Sequence, residues 1–271
     1  MRFVDQIASY VHTNNLPLEH LTIVLPSERA KKYIASALYK VYGRPLLAPK
    51  MVTIDQWVKS YSPQTVIDST RSLLRLFEIQ LKNAKTVEDA SFDEFFSWGM
   101  TLLSDFNEID RYLLEANQVF KNLKDIKEIE NWSFGDEHLT ESQLRFMEFW
   151  DRLPGYYHAL NKELDKREMC YPGKAYRHLA TTIDELFKDE KAQYLFAGFN
   201  ALSGAELAII KQLENLGRAH ILIDADAYYY NDETHEAGRF LRDLSRALDG
   251  KKLEVVSDTL ATKSMEITLV S

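Results

Sequence analysis

The sequence predicts an α/β protein in which a parallel sheet is built from both chain ends, with a large all-helical segment inserted between the halves. Two observations predict it. Short, nearly unbroken apolar runs of strand length lie towards the ends: LTIVLP at 21–26 and MVTI at 51–54, then AQYLFAGF at 192–199 and AHILIDAD at 219–226. Such runs suit strands buried on both faces, as in parallel sheets covered by helices. From 62 to 190, apolar residues recur instead at the 3.6-residue period of helices. The expected division is therefore 1–61 with 191–271 as a discontinuous α/β domain and 62–190 as a helical insertion of domain size.

Each element follows from local chemistry. The run 21–26, closed by Pro26, reads as a buried strand, and Ser27 is placed to cap a helix over ERAKKYIASALYKVY that Gly43 stops. Tyr33, Ile34, Ala37, Leu38 and Val41 recur there as an apolar face, leaving Arg29, Lys31, Lys32 and Ser36 on other faces. MVTI reads as a second strand or extended link, with Asp55 capping a short helix through Trp57 and Tyr61. The insertion carries three apolar series: Val66, Leu73, Leu74, Phe77 and Leu81; Phe92, Phe95, Phe96, Gly99, Leu102, Leu103 and Phe106; Leu144, Phe146, Met147, Trp150, Leu153, Tyr157 and Leu160. Turn signals at 83–86, 133–136 and 171–173 divide it into five or six helices, with Trp98, Trp132 and Trp150 as core anchors. After 191, a strand, a helix capped by Ser203 and ended by Gly217, and a second strand make a βαβ unit, for which parallel pairing is expected. A helix over 236–248 ending at Gly250 and two strand candidates, LEVVS and MEITLV, complete the chain. An apolar strand running up to Ser271 reads as a piece of something longer.

Composition narrows the class without naming a chemistry. Over 271 residues, 33 Lys and Arg stand against 41 Asp and Glu for a net charge of −8, with 45% apolar and 27% charged residues. Those values exclude a disordered or fibrous chain. A chain of this length buries roughly three quarters of its unfolded surface and needs no staple. The single cysteine, Cys170, excludes an internal disulfide and a Cys-rich zinc site and fits a reducing compartment. Neither a membrane-length apolar run nor a secretory leader is present, so a cytoplasmic location without membrane contact is expected. The acidic balance argues against a surface coated in cations for phosphate, yet leaves room for one local basic groove.

Tests for catalytic motifs return little. No glycine precedes Gly43, and both Gly-Lys pairs fail the P-loop pattern: Gly173-Lys174 is followed by Ala175 with Glu168 at the first Gly position, and Gly250-Lys251 is followed by Lys252. Neither G-x-G-x-x-G nor G-x-S-x-G occurs. The seven histidines are scattered; His235-Glu236 begins like a zincin motif, but Arg239 occupies the second His position. Asp224, Asp226 and Asp232 cluster after a strand, where α/β proteins often bind ligands, yet Tyr228 to Tyr230 break the calcium-loop pattern. A helix cap or polar strand end is the other reading of those aspartates.

The order of segments says more than any one of them. TIVLPSERAKKYIASALYK resembles the segment after the P-loop in superfamily I helicases, a strand, polar turn and basic amphipathic helix that contacts single-stranded DNA. MVTIDQWVKSY resembles the next strand and helix, where those helicases carry an aromatic-bearing loop. A helical insertion like their 1B subdomain follows. YLFAGFNALSGAELAIIKQL aligns with their Walker B strand and helix, with Gly198-Phe199 in place of the Asp-Glu pair, and AHILIDADAYYY sits where the following sensor motif would be. LTIVLPSERA, FDEFFSWGMTLLSDFNEIDRYL, FAGFNALSGAE and IDADAYYYNDETHEAGRFLR together resemble the N-terminal part of AddB-like helicase-nuclease proteins, long chains ending in a PD-(D/E)XK nuclease domain. The likeness covers nearly the whole chain.

This resemblance implies a P-loop-helicase-like, RecA-like sheet domain with a 1A/1B-like layout. It also implies a role in processing double-strand DNA breaks beside an ATP-driven helicase-nuclease partner subunit, with the nuclease beyond residue 271. The departures shape the mechanism: without a P-loop, and with Gly198-Phe199 unable to ligate Mg²⁺ or polarise water, an inactivated motor is expected. This chain would then be no enzyme and hold no cofactor or metal. Its remaining work would be scaffolding and holding single-stranded DNA through Ser27, Arg29, Lys31 and Lys32, with Trp57 as a stacking residue. The same residues also read as a solvated helix and a core Trp, which fits the alternative of a pure docking module without DNA contact. A weaker alternative is a metal-dependent hydrolase using Asp224, Asp226 and Asp232.

Overall fold

A computed structural model describes residues 2–84, 91–131, 141–188, 191–248 and 260, with backbone alone over 126–131 and 141–147. In chain order the first elements are α1 (Phe3–Thr13), β1 (Leu21–Leu25), α2 (Ala30–Tyr42), β2 (Lys50–Thr53) and α3 (Ile54–Ser60). Then come β3 (Thr65–Val66), α4 (Ser69–Asn83), α5 (Phe92–Arg111), α6 (Ala116–Asn131), α7 (Glu141–Asp165), β4 (Met169–Cys170) and α8 (Pro172–Phe187). The last are β5 (Gln193–Ala197), α9 (Gly204–Asn215), β6 (Ala219–Leu222), α10 (Ala227–Asn231) and α11 (Arg239–Ala247). The chain divides into two units, Met1–Trp57 with Thr182–Ser271, and Val58–Thr181.

The first unit is α/β, with a four-stranded parallel sheet in the order β2-β1-β5-β6. Every residue of β1 is buried, as expected for a central strand covered on both faces. Because side chains alternate, Leu21, Ile23 and Leu25 join Leu195, Ala197 and Leu222 under α1 and α2. Tyr194 and Phe196 lie on the opposite face, where Trp57 and Phe187 close over them. Helix α9 crosses from β5 to β6; the Ser203 side chain accepts the Glu206 amide while Glu206 accepts the Ser203 amide, and Gly217 ends the turn at φ +67.

Several local expectations are corrected. Ser27 does not cap α2, which begins at Ala30 after a turn and carries no side-chain cap. Thr53, not Asp55, caps α3: its hydroxyl accepts the Gln56 amide at 3.2 Å and Gln56 Oε1 accepts the Thr53 amide at 3.2 Å. Tyr33 belongs to the outer face of α2, because Ile34, Ala37 and Leu38 already fill the arc that the sheet covers. The helix expected over 236–248 opens as a 3-10 turn, Glu236–Gly238, before α11. Helix α1 was not foreseen; its Ile7, Ala8 and Val11 bury against the sheet. LEVVS, MEITLV, Gly250, Trp132 and the turn at 133–136 lie outside the described residues.

The second unit is helical but not wholly so, since β3 pairs in parallel with β4 and ties the start of the unit to its end. The Thr65 amide donates to Glu168 O at 2.8 Å and the Ile67 amide to Cys170 O at 2.9 Å. Two β-branched residues suffice for so short a ladder, below the length at which periodicity is readable. The core joins Leu73 and Leu76 of α4, Phe95, Leu102 and Phe106 of α5, Phe120 of α6, and Leu153 and Leu160 of α7. Leu74, Leu81 and Phe96, read as part of that apolar series, flank it and are exposed. At Gly173 the first turn of α8 meets the α5 backbone: an added Cβ would stand 2.6 Å from Asn107 O, and the Gly173 amide donates to Asn107 Oδ1 at 2.8 Å.

A charge sits at the centre of this unit. Asp110, fully buried, accepts hydrogen bonds from the hydroxyls of Tyr157 and Tyr171 and from Arg177 Nε at 2.5 Å. Arg177 Nη2 also donates to Ile109 O and Leu114 O, at 3.0 and 2.6 Å. Burial and the Asp110 charge push both tyrosine hydroxyls well above their ordinary range.

Removing one partner of such a pair strands the other charge, so Asp110→Ala should cost about 3 kcal/mol, read as a lower midpoint in urea denaturation. The raised tyrosines give a second expectation. The unfolded tyrosines ionise above about pH 10 while the folded ones keep their protons, so the unfolded state binds fewer protons there and stability falls as pH rises. Tyr157→Phe with Tyr171→Phe should flatten that alkaline fall, measured as unfolding free energy between about pH 9 and 12.

Candidate nucleic-acid interface

Because all four strands of the sheet are parallel, Leu25, Thr53, Ala197 and Leu222 end at one edge. In open α/β sheets this carboxyl edge is where ligands bind. The chain leaves β1 through Pro26, Ser27, Glu28 and Arg29 before entering α2. Ser27, Arg29 and Lys32 are exposed. Lys31 is held: its Nζ lies 2.8 Å from Glu28 Oε1 and 3.2 Å from Gln56 Oε1. Gln56 thus couples the turn after β1 to the start of α3, a role the sequence reading missed. The T-x-x-Q spacing of a capping box at 53–56 was its available signal.

Trp57 is not part of this surface. It is 1% exposed and ringed by Phe187, Tyr194 and Phe196 at centroid distances of 5.9, 5.3 and 5.7 Å. A base cannot stack on it without opening the core, so Trp57 is a core ring and not the expected stacking residue.

The position after β5 holds Gly198 and Phe199. Gly198 has φ +79, its amide donates to Leu222 O at 3.0 Å, and an added Cβ would meet the Phe3 ring at 3.2 Å. Phe199 is buried beside Phe196. Neither residue offers a carboxylate to this part of the edge.

The aspartates after β6 work as local acceptors. Asp226, 8% exposed, takes the Tyr228 amide on Oδ1 at 3.0 Å and the Leu260 amide on Oδ2 at 3.3 Å. Asp232 accepts both the amide and the hydroxyl of Thr234, which hold its carboxyl below the usual range. Desolvation pushes the Asp224 carboxyl up from its ordinary range. Among the described residues, no group of three or more His, Cys, Asp or Glu side chains is placed to hold a metal ion. Likewise, no described helix is long and apolar enough to cross a membrane.

No protein-family model matches this chain, and no curated protein matches it.

Trp57→Ala should remove the centre of the aromatic cage and destabilise the α/β unit by about 3–5 kcal/mol, read as a shift of its urea unfolding transition.

Proposed function

We propose that this chain is a non-catalytic helicase-like module of a machine that processes DNA double-strand breaks, holding single-stranded DNA beside an ATP-driven partner subunit. The observation that carries this reading is the make-up of the sheet's carboxyl edge. An exposed polar turn and a basic helix start follow β1, whereas the position after β5 presents a left-handed glycine and a buried phenylalanine where a motor would need carboxylates for Mg²⁺. The absence of a P-loop from the sequence and the long helical segment between β2 and β5 support the same reading. In this role Arg29 and Lys31 contact phosphates, and the rigid sheet positions them.

Two measurements test it. Titration with Mg-ATP should show no binding in the micromolar range; binding there overturns the claim of an inactivated motor. A labelled single-stranded oligodeoxynucleotide should bind with salt-dependent affinity, and Arg29→Ala and Lys31→Ala should each lower the slope of log K against log salt by about 0.7. Absence of salt-sensitive binding at ~50 mM salt overturns the DNA-holding role and leaves docking to a partner as the function.

A further inference from the structure

The outer face of α2 carries a second arrangement that the strand-edge reading does not use. Residues 26–44 hold five Lys and Arg against one acid, Glu28, in a chain whose net charge is −8. Glu28 is already committed to Lys31. At 3.6 residues per turn, Arg29, Lys32, Ser36 and Lys40 fall in one row opposite the buried Ile34, Ala37 and Leu38. Tyr33 and Tyr39 flank that row and are 60% and 57% exposed, although tyrosines normally bury most of the ring. Their six-residue separation is a rise of ~9 Å, about the span of three stacked nucleotides. The Arg2–Asp5 pair, 3.1 Å apart, borders the row, and Arg2 and then Lys40 help hold the Asp5 carboxyl low.

Cations alone fit any polyanion, and exposed rings alone fit many partners. Rings flanking a cationic row fit a ligand with alternating phosphates and flat apolar faces, which is an unpaired nucleic acid strand. We infer that this ridge is a stacking platform along which a single strand runs, with Tyr33 and Tyr39 taking bases and Arg29, Lys32 and Lys40 taking phosphates. The inference rests on the proposed DNA-holding role, but it moves the contact from the strand ends to the exposed length of α2 and assigns the stacking that buried Trp57 cannot perform.

The test uses the full chain and a fluorescently labelled oligodeoxythymidine, with anisotropy read across a salt series. Tyr33→Ala and Tyr39→Ala should each weaken binding about 5- to 150-fold while leaving the salt slope unchanged. Lys40→Ala should lower the slope by about 0.7. Since these side chains are exposed, thermal melts should match those of the unsubstituted protein. Ultraviolet cross-linking of the unsubstituted protein to a bromodeoxyuridine strand should attach at Tyr33 or Tyr39. If the tyrosine and Lys40 variants bind like the parent while Arg29→Ala and Lys31→Ala do not, the ridge is overturned and the strand-edge reading stands. If the parent fails to bind, both fall.

Discussion

The pairing of β1 with β5 is the contact on which the α/β unit depends. Val24 and Phe196 are register partners 172 positions apart, and without their ladder β2 and β6 have no common sheet to join. Closing so long a loop adds little thermodynamic cost, because the entropy grows only with the logarithm of loop length. Its kinetic cost is larger, since non-local pairing must wait for that closure. The helical unit eases the problem by having its own core and by bringing its start and end together through β3 and β4. Once it has formed, the closure that β1 and β5 still require is much shorter than 172 residues.

The same economy separates fixed charges from free ones. Arg177 spends its donors on Asp110 and two carbonyls, and Arg242 spends its own on the carbonyls of Tyr229, Asp232, Glu233 and His235. Such groups hold segments in place and have little left for a ligand. A buried ion pair adds uncertain net stability, but the several acceptors and donors around Asp110 are satisfied together only when α5, α7 and α8 keep one register. Arg29, Lys32 and Lys40 lie instead on an exposed helix face, and their charge faces solvent.

What was legible in the sequence was what depends on local pattern. The strand runs at β1, β5 and β6, the Ser203 cap and the Gly43 and Gly217 stops all follow from short-range backbone chemistry. Features decided by distant partners were not. Trp57 reads equally well as a stacking ring or a core ring until Phe187, Tyr194 and Phe196 are brought beside it from elsewhere in the chain. Asp110 sits next to Ile109 in an apolar stripe, and only Tyr157, Tyr171 and Arg177 explain a carboxylate there. Tyr33 was assigned to the core because its spacing fits a wide apolar arc, whereas the sheet covers a narrower one. The basic helix start is visible in the residues at 29–32, but the row continuing beyond it is hidden by counting tyrosines as apolar.

The acidic total does not decide whether such a ridge works. Screening at physiological ionic strength reduces interactions over roughly 8 Å, so a strand lying on α2 responds mainly to the charges within that distance. Among them are the cations of residues 26–44, and Asp5 and Glu28 are each answered by a neighbouring cation. Acidic surface elsewhere repels the same polyanion. In a chain of net charge −8, a basic helix face therefore bears on where a polyanion would lie more than on how tightly it would be held.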